Sequence, residues 1–290
     1  MSAVAEPLRV PRRRPRARFL TQLLKRPSAA IAFVVVLAIV VGVVGAPLVA
    51  PYSPNAFDFT HLFGGPTLAH PFGTDELGRD LLTRVLYGGR TTLEIAGFSV
   101  VLAMSGGSLW GFTAAYRRGW LDELLMRVAD LTLGMPVILL GLVLVAAFGS
   151  STLSLVLILG ILFMPATARL ARAALLSELE TDYYLATISV GTPPWLIMLR
   201  ELLPNAAPVL IARASVVAAE AIFVEASLSF VGLGVQPPAA SWGTLLQKGY
   251  TNLYRSYWYP LFPGLVILVA VLALNTLGDH LQRVLDPAKR

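Results

Sequence analysis

The chain has 290 residues, 56% hydrophobic and 14% charged, with 23 Lys and Arg against 17 Asp and Glu. A soluble domain carries roughly a quarter charged residues, so this composition points to a multi-span, all-α integral membrane protein. The absence of cysteine excludes disulfides and thiolate chemistry. No glycine-rich phosphate loop ending in Gly-Lys-Ser or Gly-Lys-Thr occurs, so any nucleotide site lies on another chain.

In chain order, residues 1–28 form a basic tail with a cluster from Arg9 to Arg18. Basic residues beside a first span hold a terminus in the cytoplasm, and this reading displaces nucleic-acid binding. Six stretches are apolar enough to cross about 30 Å of hydrocarbon. They are Ala29–Ala50, Thr91–Ala115, Leu124–Ala147, Thr152–Leu175, Pro208–Leu233 and Pro260–Leu281. The first span is too long for a cleaved signal peptide. The organisation is thus a first transmembrane helix at 29–50, an extracytoplasmic segment at 51–90 and a five-helix core at 91–281, with a cytoplasmic tail at 282–290.

Lys and Arg set the orientation. The inner side holds the tail through Lys25 and Arg26, then Arg117, Arg118, Arg127, Arg169, Arg172, Arg200, Arg213, Arg283, Lys289 and Arg290. The outer side holds only Arg79, Arg84, Arg90, Lys248 and Arg255. The excess predicts both termini, and the polar loop at 176–207, inside.

In the outer segment Thr74 can cap a surface helix with Leu77, Leu81, Leu82, Val85 and Leu86 on one face, ended by Gly88-Gly89. Between spans five and six, Gly232 to Gly243 reads as a stiff proline- and glycine-rich turn. The loop at 176–207 is long enough to imply function. Leu176, Leu179, Tyr183, Ala186 and Val190 form one apolar helical stripe, with acidic Glu178, Glu180 and Asp182 at its start. Gly191 permits a sharp turn. Pro193-Pro194 precedes a second short helix, Trp195 to Leu203, closed by Pro204. This pair is either a docking lever or an interfacial cover for the bundle.

Charged residues inside spans are costly and mark function by default. Arg213, Glu220 and Ser227 are each seven residues apart, near two helical turns, and share one stripe facing a water-filled path or fixing helix packing. Glu225 lies off that stripe, where an Arg or backbone donors of a neighbouring helix would pair it. Asp130 is one turn from Arg127, which predicts a local pair. The three histidines, His61, His70 and His280, are scattered, so no metal site is expected. No hydrolytic constellation appears.

Gly191 followed at the right distance by Leu203-Pro204 resembles the cytoplasmic loop of ABC-importer permeases, whose pattern is EAA, three residues, Gly, nine residues, Ile, one residue, Leu-Pro. Here Leu185, Ala186 and Thr187 stand at the EAA positions and Glu201 at the Ile position. EASLSFVGLGVQPPAASWG (Glu225–Gly243), HPFGTDELGRDLLTR (His70–Arg84), Asn275–Asp279 and Leu285-Asp286-Pro287 resemble the dipeptide, oligopeptide and nickel permease family, in its second, C-type subunit. The resemblance spans roughly residues 25 to 290.

The resemblance implies the type I ABC-importer permease fold in a bacterial plasma (inner) membrane, and a transport subunit rather than an enzyme. It implies no cofactor on this chain, with ATP and Mg on two partner ATPases. The further partners implied are a second permease and an extracytoplasmic substrate-binding protein. It places ATPase coupling on Asp182, Tyr183, Leu185, Ala186, Thr187, Gly191, Leu203 and Pro204. Docking of the binding protein, or gating, falls on Gly232, Gly234, Gln236, Pro237 and Trp242. Short peptides are the first cargo it suggests, then nickel chelates, opines or other small solutes. The rival reading is an ion- or proton-coupled secondary transporter using Glu220 and Glu225; six spans expected to show neither inverted-repeat signs nor interrupted helices suit it poorly.

Overall fold

The computed structural model describes residues 26–237 and 239–285. The basic tail through Lys25, Pro238 and the last five residues, with Lys289 and Arg290, lie outside them. Ten helices follow in order: α1 (Pro27–Val44), α2 (Ala46–Val49), α3 (Leu81–Arg117), α4 (Gly119–Leu133) and α5 (Val137–Phe148), then α6 (Thr152–Leu179), α7 (Asp182–Ser189), α8 (Pro194–Phe230), α9 (Trp242–Thr251) and α10 (Trp258–Leu285). Among the described residues, five helices are long and apolar enough to cross a membrane. The bent pair α4–α5 makes a sixth if it counts as one span.

The core runs through the outer half of the bundle, where Ile95, Leu155, Leu159, Ile222, Leu228, Trp242 and Leu245 pack together. Val34, Leu109, Leu153 and Leu272 point outward, as side chains facing lipid do. Helices α3 and α6 approach closely because small residues line the contact: a Cβ on Gly111 would sit 2.2 Å from the Ala168 carbonyl oxygen.

Three expected elements differ. The separate surface helix in the outer segment is absent, because α3 begins at Leu81 and runs unbroken through Gly88-Gly89. Asp80, not Thr74, is its cap, accepting from Thr83 N at 2.7 Å. The two glycines serve close packing instead of ending a helix: a Cβ on Gly89 would fall 2.6 Å from Val43 and 2.9 Å from the Trp242 ring.

The third span is broken. Helices α4 and α5 meet at 92° across Gly134–Pro136, where proline withdraws a backbone donor. In the cytoplasmic loop Pro204 closes nothing, since α8 continues through it into the membrane. A π-helical turn at Met198–Leu202 precedes the proline. This wider turn relieves the clash between a proline ring and the carbonyl one turn back.

Candidate functional site

At the end of the bundle that carries the 176–207 loop, Leu176 and Leu179 belong to α6, so the predicted stripe is divided between two helices. A small cluster of Ala115, Leu175, Leu179, Ile197 and Leu202, with Tyr184 against it, anchors the foot of α8 to α3 and α6. Asp182 opens α7. Tyr183 donates to the Glu178 carboxylate and accepts from Asn205 Nδ2 at 3.0 Å, tying α7 to both neighbours. Burial and that bond to Glu178 push the Tyr183 hydroxyl above its ordinary value, so it stays a donor at neutral pH.

Thr187 turns back onto the Tyr183 carbonyl at 2.7 Å. No residue of α7 is buried. Leu185, Ile188, Val190 and Trp195 are 57%, 47%, 84% and 65% exposed, and Ala186, Leu203 and Pro204 are exposed beside them. Gly191 has φ +78, a conformation that glycine takes without steric cost.

In α8, Arg213 and Glu220 form the expected stripe and pair with each other. Arg213 Nη1 and Nη2 donate to the two carboxylate oxygens at 3.2 and 3.0 Å. The pair lies on the wall of a cavity of about 370 Å³ with Thr132, Met135, Phe163 and Phe223, beside the α4–α5 bend. Ser227 is on the same stripe but donates to the Phe223 carbonyl at 2.8 Å.

Glu225 is fully buried, and among the described residues neither an Arg nor a backbone donor bonds its carboxylate. Hydroxyls do: Thr92 at 3.4 Å and Ser229 at 2.7 Å. Thr92 also accepts from Trp242 N at 3.1 Å, so α3, α8 and the start of α9 are joined at one point.

The turn between the last two spans is non-helical, as its composition predicts. Gly232 has φ +92 and Gly234 is buried. Gln236 donates to the Gly234 carbonyl at 2.9 Å and to Ser150 Oγ at 3.3 Å. Pro237 is exposed. Trp242 corrects the expectation of a docking residue. It is 0% exposed and its indole nitrogen donates to the Val85 carbonyl at 2.8 Å, making it a wedge between α3 and α9.

Below this turn lies a polar cluster that sequence reasoning missed. Asp75 is fully buried and accepts from Leu77 N, Arg79 N and Arg79 Nε at 2.8, 3.0 and 2.6 Å. Glu76 meets Arg79 at 3.1 Å, Lys248 at 3.6 Å and the Tyr259 hydroxyl at 2.5 Å. Burial pushes the Glu76 carboxyl up, but Tyr259, its own backbone, Lys248 and Arg79 outweigh it and hold the group below its ordinary 4.5. The i, i+4 spacing of Asp75 and Arg79 was a legible signal for part of this; Lys248 and Tyr259 arrive from far along the chain.

Asp130 also departs from expectation. It pairs with Arg169 at 2.8 Å, while Arg127 takes Glu123 at 3.1 Å. Arg172 grips Asp122 bidentately at 2.6 Å. These pairs bind α4 to α6, which their separation in sequence concealed. His280 is buried against α1, at 2.8 Å from Ser28 Oγ. Among the described residues no group of three or more His, Cys, Asp or Glu is placed to hold a metal.

An all-helical bundle with five or six helices apolar enough to span a bilayer, an Arg–Glu pair along one of them and an exposed short helix at one end defines the class as a multi-span membrane protein. Comparison with known proteins carries this to a family. Residues 107–290 match the binding-protein-dependent transport system inner membrane component family, and residues 15–71 match the N-terminal TM domain of oligopeptide transport permease C. A protein of Brucella suis biovar 1 named as a peptide transport system permease is 41% identical over 92% of this chain and 90% of its own length. The glutathione transport system permease protein of Pectobacterium atrosepticum is 36% identical over 95% and 92%.

Among solved structures, a chain of the MetNI methionine ABC transporter in an inward-facing conformation aligns with TM-score 0.59. It is 19% identical and covers 71% of this chain and 97% of its own, a likeness in fold. The chain belongs to the binding-protein-dependent transport system inner membrane component family. It is an ABC-importer permease subunit, a multi-pass inner-membrane component of a complex whose ATPase subunits bind the ATP. Membership sets aside the ion-coupled alternative, and Glu220 and Glu225 both have partners within the chain.

Proposed function

We propose that this chain forms half of a solute path with a second, similar permease, driven by two cytoplasmic ATPases and supplied with short peptides by an extracytoplasmic binding protein. One observation carries the reading: α7 buries no residue and turns Leu185, Ile188 and Val190 outward, in a chain of an ATPase-coupled family. Apolar side chains exposed together outside the hydrocarbon suit a protein contact.

The charge distribution supports an inside amino terminus, which puts α7 on the ATPase side. Asp182, Tyr183, Leu185, Ala186, Thr187, Gly191, Leu203 and Pro204 then form the coupling surface. Tyr183 and the foot of α8 transmit its displacement to the helix that carries Arg213 and Glu220, and with them Ser227. The Gly232, Gly234, Gln236 and Pro237 turn receives the binding protein. The peptide assignment draws on relatives named for peptide and for glutathione, itself a short peptide.

The test is reconstitution of the whole complex in proteoliposomes with labelled di- to pentapeptides. ATP-dependent uptake is expected with all subunits present. Gradient-driven uptake by this chain alone, with no ATPase co-purifying, overturns the reading. Gly191→Pro sharpens it: a proline locked near φ −65° does not fit φ +78. Normal insertion with lost ATP-driven uptake is expected; full uptake removes the lever.

A further inference from the structure

We infer that Arg84, with Lys248, forms a binding site for the carboxylate of the incoming solute at the outer end of the path. The inference rests on the peptide-importer reading above and deepens it.

Arg84 lies in the first turn of α3, at the end of a segment whose other charges are already committed. Asp80 caps the helix and meets His70 at 3.0 Å, Asp75 takes Arg79, and Glu76 is shared by Arg79, Lys248 and Tyr259. With Asp80 taken up by the helix cap and His70, the cations Arg79, Arg84 and Lys248 share the anions Asp75 and Glu76. Arg79 holds both carboxylates by hydrogen bonds, which leaves Arg84 with only a long contact to Asp75.

Its side chain is 6% exposed, and it makes no hydrogen bond among the described residues. The nearest carboxylate oxygen, Asp75 Oδ2, stands 3.5 Å from Nε, which is buried without a hydrogen-bond partner. A guanidinium has five donors in a planar fork. Leaving a buried guanidinium nitrogen such as Nε unsatisfied costs more than most exposed ion pairs return.

The side chain also faces open space. Arg84 lines a cavity of about 240 Å³ with Ser229, Gly234, Gln236, Thr244 and Lys248. On the other side of the turn it lines a second of about 210 Å³, towards Asn55, Tyr87 and Thr91. Lys248 is only loosely held, at 3.6 Å from Glu76, and can turn towards an arriving anion. A forked donor, a mobile ammonium and neutral hydroxyl and amide groups suit a carboxylate, which accepts from a guanidinium in bidentate fashion. The cavity takes one end of a small solute. A docking protein would meet charges on the surface, whereas this guanidinium is reached through the cavity.

The experiment uses the complete reconstituted transporter and one dipeptide in two forms, free acid and carboxy-terminal amide. Uptake is measured together with protection of Lys248 from acylation by a water-soluble amine-reactive ester. Affinities of the isolated binding protein for both forms are measured and divided out. We expect the free acid to be preferred at least roughly tenfold, and to protect Lys248 where the amide does not. Arg84→Gln and Lys248→Gln are expected to reduce that preference towards unity, and Arg84→Lys to retain part of it. Lys248→Gln and the protection assay decide the matter even if Arg84→Gln fails to fold.

Equal uptake and equal protection by the two forms overturn the site while leaving peptide import intact. Protection by the acid without uptake of any peptide upholds the site and overturns the peptide reading. Equal loss of both forms in the variants, with weakened docking of the binding protein, assigns the charges to docking and overturns the proposal.

Discussion

The two ends of this molecule are built on opposite principles. At the outer end, Asp75, Glu76, Arg79, Lys248 and Tyr259 interlock beneath the Gly232–Gly234 turn, and Trp242 is wedged into the bundle. At the other end no residue of α7 is fully buried; Tyr183 and Tyr184 hold it to the bundle while Leu185 and Ile188 face away from the rest of the chain. One end is closed by contacts within the chain, and the α7 end, on the reading proposed above, is closed by a partner. A binding protein that comes and goes needs a fixed platform, whereas force from an ATPase needs an element that moves without unfolding the bundle.

The sharpest way to break the comparison is Asp75→Ala, which strands Arg79 and Arg84 at the outer end. A loss of about 3–5 kcal/mol in detergent unfolding is expected, the range for removing one partner of a buried ion pair. A loss no larger than that of a surface variant would show the outer platform to be loose.

Acid should loosen the same region by less. Glu76 is held below its ordinary 4.5 in the folded chain. Its stabilisation is therefore present above that value and is lost as pH falls through the lower folded value. Protection of residues 74–80 from hydrogen exchange, taken relative to the intrinsic exchange rate at each pH, should fall as the pH drops below about 4.5, with α7 little changed. An equal fall at both ends would erase the distinction.

Tyr183→Phe removes the hydroxyl that joins Glu178 and Asn205, at a cost of about 1 kcal/mol. Its larger effect should appear as faster proteolysis of the 180–193 stretch. Leu185→Glu, on the open face, should alter stability by less than about 0.5 kcal/mol. It should nonetheless weaken co-purification with the ATPases and ATP-driven uptake. A stability loss without a coupling loss would mean that α7 packs on its own chain.

Much of this contrast was legible before any coordinates. Gly191 marks the turn after α7, the stripe of Arg213, Glu220 and Ser227 falls on one face, and the Gly232 turn is non-helical. All three are local features, set by backbone freedom or by helical period. Misreadings came where a residue has two uses. Gly88-Gly89 looked like a helix stop and is a packing notch for Trp242; Pro204 looked like a helix end and is absorbed by a π turn. Asp130 sat one turn from Arg127, and Arg169 claimed it from another helix.

The sequence by itself determined that this chain is a helical membrane protein, roughly where five of its spans run and which loop interrupts them. Apolar length, charge bias and helix-breaking residues act over a few turns and need no partner. Only the tertiary structure decided which polar atoms meet, because those partners lie far apart in the chain. Arg172 and Asp122 are 50 residues apart, Thr92 and Glu225 are 133, and Trp242 and the Val85 carbonyl are 157. In a bundle each buried polar atom must find a partner on whichever helix packs beside it. That packing also left the Arg84 Nε without a hydrogen bond at the edge of a cavity.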